Sequence, residues 1–220
     1  MTKANNPGIE QLHDPEKYHH IKTLSHNEII HFVIGQLKQL RWPMVFFYGF
    51  NLLLFLFMAV FSTQNFLNQT LPLTTWILFM LYGIVAGMIL VIPFHEGLHG
   101  LAYRIAGAKK VKYGMDLKQM LFYASAPGFV ADRKSFLLVA FSPFIIINLF
   151  FGLGLLLGAT PVKWASIVAI FIHSTLCIGD FAMVNFFASF PKKNVYTYDE
   201  ENSQITRFFI ENKTPMKAFI

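Results

Sequence analysis

Long apolar runs separated by short polar segments dominate the pattern of this chain. We predict four membrane-spanning helices, at residues 43–61, 73–94, 136–157 and 162–187, with the second continuing as helix to about residue 106. Each run holds close to the roughly 20 apolar residues that a helix needs to cross a bilayer. The pattern therefore predicts an all-α membrane protein with four transmembrane helices.

A polar segment precedes the first span. Residues 1–24 are expected to form a mobile cytosolic lead-in. Ser25 and Glu28 form a capping box ahead of apolar residues at helical spacing, which predicts an amphipathic helix in the membrane interface up to residue 41. Because the first apolar span begins only near residue 43, we expect no cleavable signal peptide. The predicted units are 1–41 (lead-in and interfacial helix), 42–190 (four-span membrane domain) and 191–220 (cytosolic tail).

Two segments outside the spans predict small β-hairpins. In the loop 107–135, apolar and polar residues alternate with the period of a strand, and Pro127-Gly128 is a turn signal. The alternating residues are Val111, Tyr113, Met115 and Leu117 against Lys112, Gly114, Asp116 and Lys118. In the tail, residues 194–198 and 205–210 flank a polar turn, Asp199-Glu200-Glu201-Asn202, which predicts a second hairpin.

The composition and charge bound the class of protein. Of 220 residues, 55% are hydrophobic and 14% are charged, whereas soluble domains carry about 25% charged residues. A net charge of +6 could indicate a nucleic-acid partner, but of the 18 Lys and Arg residues only Lys163 lies outside 1–41, 104–134 and 188–220. By the positive-inside rule these segments and both termini face the cytoplasm. We therefore expect a multi-pass cell-membrane protein whose basic residues set topology, with no nucleic-acid partner.

The candidate chemistry begins with His95-Glu96-Gly97-Leu98-His99, at the end of the second apolar run. Residues four apart lie on one face of a helix, so His95 and His99 can bind one Zn²⁺ while Glu96 acts as general base. Ionisable residues in membrane segments are costly and normally serve a function. The motif therefore predicts a catalytic zinc site, since the single Cys177 excludes a Cys-based structural one.

Asp180 is the predicted third zinc ligand. Of twelve Asp and Glu residues, only Glu96 and Asp180 fall within the spans and their helical extensions. Catalytic zinc takes three protein ligands and keeps one position open, and a carboxylate completes a histidine pair. At 1.5 Å of rise per residue, His95 and Asp180 both lie about 27–33 Å from the outer ends of their spans. The two side chains are therefore expected to meet near the cytosolic edge of the membrane.

His173 has several possible roles. It lies seven residues before Asp180, about 10 Å deeper by helix rise. As a catalytic residue it would orient the scissile carbonyl or oxyanion; it could also hydrogen-bond to a ligand or replace Asp180 as ligand. The alternative is a purely structural bond to a neighbouring helix, for example to Asn148. Cys177 is expected to be a packing residue.

Other residues near the motif have predicted structural roles. Gly97 and Gly100 are expected to allow close helix packing, and Pro93 is expected to kink the second span. Three tryptophans lie near span ends, where an aromatic belt would sit, namely Trp42, Trp76 and Trp164.

At these residues the chain resembles a family of unknown function described as putative zincin peptidases, itself similar to site-2 protease type intramembrane metalloproteases. The resemblance covers roughly residues 80–210. It rests on three segments, His95-Glu96-Gly97-Leu98-His99-Gly100, Ala106-Gly107-Ala108 and Ile178-Gly179-Asp180. It implies that His95, His99 and Asp180 are zinc ligands and that Glu96 is the catalytic base. The chain departs from the pattern at His173, where such proteins often carry Asn, and at Phe181, which replaces the glycine of an Asp-Gly signature.

The predicted function is zinc-dependent hydrolysis of peptide bonds near the cytosolic membrane face. The expected partners are the lipid bilayer and a membrane-embedded or membrane-proximal protein substrate, laid as an extra strand along the 111–130 hairpin. The alternative is a non-catalytic metal-binding regulator or scaffold, which an intact Glu96 disfavours. A transporter is a weaker alternative because the chain has no visible internal repeat. The sequence names no particular substrate and sets no oligomeric state.

Overall fold

The computed structural model of the protein describes residues 6–116, 121–200 and 205–212. The fold is mostly helical, with two small antiparallel sheets. The helices are α1 (Ile9–Leu12), α2 (Ile29–Leu37), α3 (Trp42–Leu67), α4 (Leu73–Val85), α5 (Val91–Ala106), α6 (Arg133–Leu157), α7 (Thr160–Leu176) and α8 (Ile178–Phe187). The strands are β1 (Tyr18–Ser25), β2 (Lys112–Asp116), β3 (Leu121–Ser125), β4 (Ala131–Asp132), β5 (Val195–Asp199) and β6 (Ile205–Glu211).

Three helical segments in the described part of the chain are long and apolar enough to cross a membrane. They are Trp42–Leu67, Leu73–Ala106 and Arg133–Leu157, with 26, 34 and 25 residues. The predicted fourth span, 162–187, is instead two helices, α7 and α8, bent by 44° at Cys177. The chain thus has three candidate spans, or four if the bent pair counts as one, which fits a membrane protein.

Local sequence explains where these helices begin and end. Pro43 lies in the first turn of α3, where its missing N–H costs no hydrogen bond. Gly107 ends α5 with φ of 109°, a left-handed conformation that glycine adopts without strain. Asp132 caps α6 by accepting a hydrogen bond from the Ser135 N–H at 2.9 Å. Before Pro93, a π-helical turn at Ala86–Leu90 joins α4 to α5, so the irregularity lies one turn before the predicted kink.

Close helix packing occurs elsewhere than predicted. A Cβ atom at Gly83 or Gly87 would lie 2.5 or 2.7 Å from a backbone oxygen of α7, at Ala165 or Ala169. The two glycines are four residues apart, so they form one small-residue face for α7. Gly97 has nothing within 4 Å of its hypothetical Cβ, and Gly100 meets the Tyr113 side chain rather than a helix. The expectation that these two glycines pack helices was therefore wrong.

Two of the three tryptophans also differ from the aromatic-belt prediction. Trp76 of α4 and Trp164 of α7 are buried and pack edge to face, with ring centroids 4.6 Å apart. The Trp164 Nε1–H donates to the Trp76 carbonyl oxygen at 3.1 Å. Trp42 alone of the three is exposed. The tryptophan pair therefore contributes to the contact between α4 and α7.

The amino-terminal segment is part of a sheet, which corrects the expectation of a mobile lead-in. In the order β1-β6-β5-β4, strand β1 pairs antiparallel with β6, with Tyr18 opposite Glu211 and Ser25 opposite Ile205. Residues 18–25, expected within a mobile lead-in, are therefore ordered strand, because their backbone groups pair with the tail. The protein is otherwise mostly helical with small antiparallel sheets, in agreement with the predicted helical class and its hairpins.

Both predicted hairpins are present. β2 and β3 pair antiparallel, and so do β5 and β6. Of the residues used to predict them, Leu117, Lys118, Glu201 and Asn202 lie outside the described residues. The tail hairpin does not stand alone as an appendage, since it forms the centre of the four-stranded sheet.

The predicted amphipathic helix corresponds to α2, which is shorter than expected. The Ser25 and Glu28 capping box is present at the 3₁₀ turn His26–Glu28 that precedes α2. Asn185 of α8 is fully buried, and its Nδ2 donates to Gln36 Oε1 and to the Gln39 carbonyl, both at 3.0 Å. These bonds join the end of α2 to α8. The location of α2 in the membrane interface stays a prediction.

Candidate metal centre

The two histidines of the motif meet on one face of α5. Because they are four residues apart in an α-helix, His95 and His99 project in the same direction. Their Nε2 atoms are 3.1 Å apart. The Nδ1–H of His99 donates to the Val139 carbonyl oxygen on α6 at 2.9 Å. This bond leaves the Nε2 lone pair of His99 directed toward His95.

Asp180 completes the cluster from the other side. The break at Cys177 places Asp180 in the first turn of α8. Its Oδ2 lies 3.3 Å from His95 Nε2, and its Oδ1 lies 3.3 Å from His99 Nε2. The structure therefore brings together the three residues predicted as zinc ligands.

The distances among these atoms suit a zinc ion. A tetrahedral zinc with bonds of about 2.0–2.2 Å separates its ligand atoms by about 3.3–3.6 Å. In the cluster, the two histidine Nε2 atoms are 3.1 Å apart, and each lies 3.3 Å from a different oxygen of the Asp180 carboxylate. Two imidazole nitrogens and a carboxylate also form an established donor set for catalytic zinc. The residues present thus fit the ion that the sequence predicts.

Glu96 lies in the same cavity as these three residues. The cavity is about 260 Å³ and is otherwise mostly apolar. Glu96 Oε2 is buried and has no hydrogen-bond partner among the described residues, while the backbone of Ala124 in β3 interacts with the carboxylate. A buried carboxylate oxygen without a protein partner is costly unless a ligand or water satisfies it. Glu96 is therefore available to a molecule bound in the cavity.

His173 lies next to the cluster, on its deeper side. Its Nε2 is 3.2 Å from His95 Nδ1, and its Nδ1 is 3.2 Å from Asn148 Oδ1. The Cys177 Sγ is 3.6 Å from the same Nε2. His173 and Asp180 thus both contact His95, although helix rise separates them, because the chain bends between them. The predicted contact between His173 and Asn148 is present, together with a contact to His95.

The cavity has walls that sequence reasoning did not assign. They come from α2, β3 and α5, at Phe32, Val33, Phe122, Tyr123 and Tyr103. Only Tyr103 had a local signal, since it follows His99 by four residues on the same helical face. The other walls depend on how distant segments pack, which the local pattern does not indicate.

The four-stranded sheet is joined to the hairpin beside the site through Asp199. This β5 carboxylate accepts hydrogen bonds from the Ala126 N–H, just after β3, and from the Thr206 hydroxyl. Burial raises the pKa of Asp199, and these bonds and the nearby His26 partly oppose the rise. The His26 ring also packs edge to face on Tyr123, a cavity residue. The sheet therefore supports the cavity wall from outside.

Comparison with known proteins agrees with the metal centre. Residues 88–195, close to half of the chain, match the model of a family described as putative zincin peptidase, whose name implies zinc. No curated protein and no solved structure matches the chain. The matched segment includes the whole cluster, from His95 to Asp180. The resemblance seen in the sequence is confirmed over residues 88–195, which match the model of the putative zincin peptidase family.

Proposed function

We propose that the protein is a zinc-dependent peptidase that hydrolyses peptide bonds within or beside the membrane, near its cytosolic face. One observation carries this proposal. The Nε2 atoms of His95 and His99 lie 3.1 Å apart and each lies 3.3 Å from one Asp180 carboxylate oxygen, beside a buried Glu96 oxygen that has no described protein partner. This is the arrangement needed by a metal and an adjacent base.

In the proposed mechanism, each residue has a distinct task. His95, His99 and Asp180 would hold zinc, which supplies a Lewis acid for the scissile carbonyl and for a nucleophilic water. Glu96 accepts the proton from the attacking water and delivers it to the leaving amine. The apolar cavity walls limit solvent around Glu96, which strengthens its electrostatic interactions there. His99 keeps its orientation through the bond to Val139.

The alternative of a non-catalytic metal-binding regulator is less well supported. Structural zinc sites normally fill all four positions with protein ligands and need no adjacent base. Here three ligands converge, and Glu96 lies beside them with an unpartnered oxygen among the described residues. These features favour catalysis.

We further propose that the substrate is a membrane-embedded or membrane-proximal polypeptide that adds a strand to β3. Within the described residues, β3 pairs with β2 alone, so one of its edges has no strand partner. Phe122, Tyr123 and Ala124 of β3 line the cavity beside Glu96. An extended peptide on that edge would pass close to the proposed zinc ligands. Successive residues of a strand direct their N–H groups to opposite edges, so Tyr123→Pro and Ala124→Pro, made separately, each remove a donor from a different edge of β3. Unchanged cleavage by both variants would exclude strand addition.

The decisive experiment combines metal analysis with cleavage. We expect purified protein in detergent micelles to contain one zinc per chain and to cleave members of a library of fluorescent single-span peptides. Glu96→Gln should retain the zinc and lose cleavage, because the ligands stay and the base is removed. Wild-type protein without zinc would overturn the proposal. Full zinc occupancy without cleavage of any peptide would instead support the regulator.

A further inference from the structure

The two ring nitrogens of His95 face different partners. Nε2 points to the proposed zinc position, 3.1 Å from His99 Nε2 and 3.3 Å from Asp180 Oδ2. Nδ1 points the opposite way, 3.2 Å from His173 Nε2. A neutral imidazole carries one N–H, so the state of Nδ1 determines whether Nε2 has a lone pair for a metal.

Two further residues, His173 and Asn148, determine whether His95 Nδ1 carries the hydrogen. The Asn148 Oδ1 lies 3.2 Å from His173 Nδ1, and an amide oxygen only accepts hydrogen bonds. Nδ1 of His173 must therefore carry the hydrogen, which leaves its Nε2 as an acceptor. The His95 Nδ1–H then donates to that Nε2, and His95 Nε2 keeps its lone pair. Each step follows from the donor and acceptor capacities of the groups.

We propose that His173 and Asn148 are positioning residues that hold His95 in its zinc-binding tautomer and thereby set zinc affinity. This inference rests on the proposed zinc site. His99 obtains the same tautomer from one backbone acceptor, the Val139 carbonyl. The Nδ1 atom of His95 faces α7 and has no backbone carbonyl as acceptor. The side chains of His173 on α7 and Asn148 on α6 therefore fix its tautomer instead. His173 is 1% exposed, so solvent water does not compete with it as the acceptor for the His95 Nδ1–H.

The opposite orientation of the Asn148 amide is incompatible with zinc binding. Its NH₂ would donate to His173 Nδ1, and His173 Nε2–H would then donate to His95 Nδ1. His95 would carry its hydrogen on Nε2, which removes the lone pair that a metal needs. The orientation in the structure leaves Asn148 Nδ2 buried without a partner among the described residues. In the structure the amide oxygen faces His173, which is the orientation that zinc binding requires.

The Cys177 thiol defines the competing interpretation. Donor atoms of His95, His173 and Cys177 also lie within 4.8 Å of one another and would form a second metal position. We call the hydrogen-bond series from Asn148 through His173 to His95 the relay. With the relay in place, the thiol lies 3.6 Å from His173 Nε2 and is a weak second donor to that acceptor. Cys177→Ser distinguishes the two, since it leaves the relay intact but removes the sulfur ligand.

The test measures zinc affinity of the full chain in detergent by competition with a fluorescent zinc chelator. His173→Leu and Asn148→Leu should each lower the affinity about 10–100-fold, the effect typical of outer residues that orient a metal ligand. His173→Gln provides a carbonyl acceptor for the His95 Nδ1–H and should restore near wild-type affinity. Cys177→Ser should bind zinc as the wild type does.

A double variant separates positioning from general stability. In the His173→Gln background, Asn148→Leu should cause no further loss of zinc affinity, because the relay no longer passes through Asn148. Wild-type affinity in His173→Leu would overturn the relay while leaving the proposed zinc site in place. A full loss of affinity in Cys177→Ser would instead assign the metal to the competing position and overturn the relay. Failure of the wild-type chain to bind zinc would overturn the proposed function itself. If His173→Leu does not fold, the Asn148 variants decide the question.

Discussion

The carboxylate of Asp180 on α8 lies 3.3 Å from His95 Nε2 on α5, so two segments far apart in the matched family region meet at one point. The bend between α7 and α8 makes this contact possible. It leaves Asp180 at the start of a helix, while His173 approaches His95 from α7. One histidine thus joins the proposed metal position to the interior of the helix bundle.

Removal of the carboxylate ligand should release zinc. We expect Asp180→Asn to lower zinc affinity by more than the about 10–100-fold typical of outer residues, because a neutral amide replaces a charged ligand. Chelator competition in detergent measures the change. Glu10→Gln, at an exposed acid of α1, is the control and should bind like the wild type. Equal affinity in both variants would exclude Asp180 as a ligand.

The contact of the π-helical turn with α7 should not tolerate a methyl group. Gly87→Ala places a Cβ about 2.7 Å from the Ala169 backbone oxygen, and such overpacking costs about 1–3 kcal/mol of unfolding free energy. Gly152→Ala is the matched control, because nothing lies within 4 Å of its hypothetical Cβ. Thermal unfolding in one detergent compares them, and melting temperatures that coincide would refute the close approach.

The buried amide that joins α2 to α8 should stabilise the fold. Asn185→Leu leaves the Gln36 side chain and the Gln39 carbonyl without their donor, which costs about 1–3 kcal/mol. Ser62→Ala removes a hydroxyl bonded only within its own helix and should cost less. Denaturation in detergent compares the two variants. A larger loss for Ser62→Ala would contradict this role of Asn185.

The Asp199 carboxyl should add a distinct pH dependence. Its raised pKa means that the folded protein binds this proton more tightly than the unfolded chain does. Its contribution to stability is therefore fully present below the reference pKa of 3.8 and is lost as the pH rises through the folded pKa. The melting temperature of the wild type, minus that of Asp199→Asn, should fall with rising pH over this window. Two parallel curves would show that burial does not affect this carboxyl.

Local sequence predicted the features that depend on neighbours along the chain. The 3.6-residue period placed His95 and His99 on one face, and alternation predicted both hairpins. Helix rise correctly brought Asp180 to the depth of His95. It failed for His173, because a straight fourth span was assumed and the chain bends at Cys177. The break has no proline or glycine at that position to indicate it.

Long-range pairing was the main feature that the sequence did not reveal. The polar composition of residues 1–24 indicated a lead-in, yet β1 pairs with β6 almost two hundred residues later. A strand can pair with a partner anywhere in the chain, and its formation depends on that partner. A single strand within a polar segment therefore has little local sequence pattern that predicts it. The walls of the cavity depend on the same kind of contact.

By itself, the sequence determined the apolar spans, the histidine pair, the acid of the motif and the candidate third ligand, since each depends on residue type and spacing. Only the tertiary structure decided that His95 lies between Asp180 and His173, that α2 and β3 close the cavity, and that the amino-terminal segment joins the tail sheet. The physical reason is that spacing sets the direction of a side chain, whereas its partners depend on the packing of segments far apart in the chain.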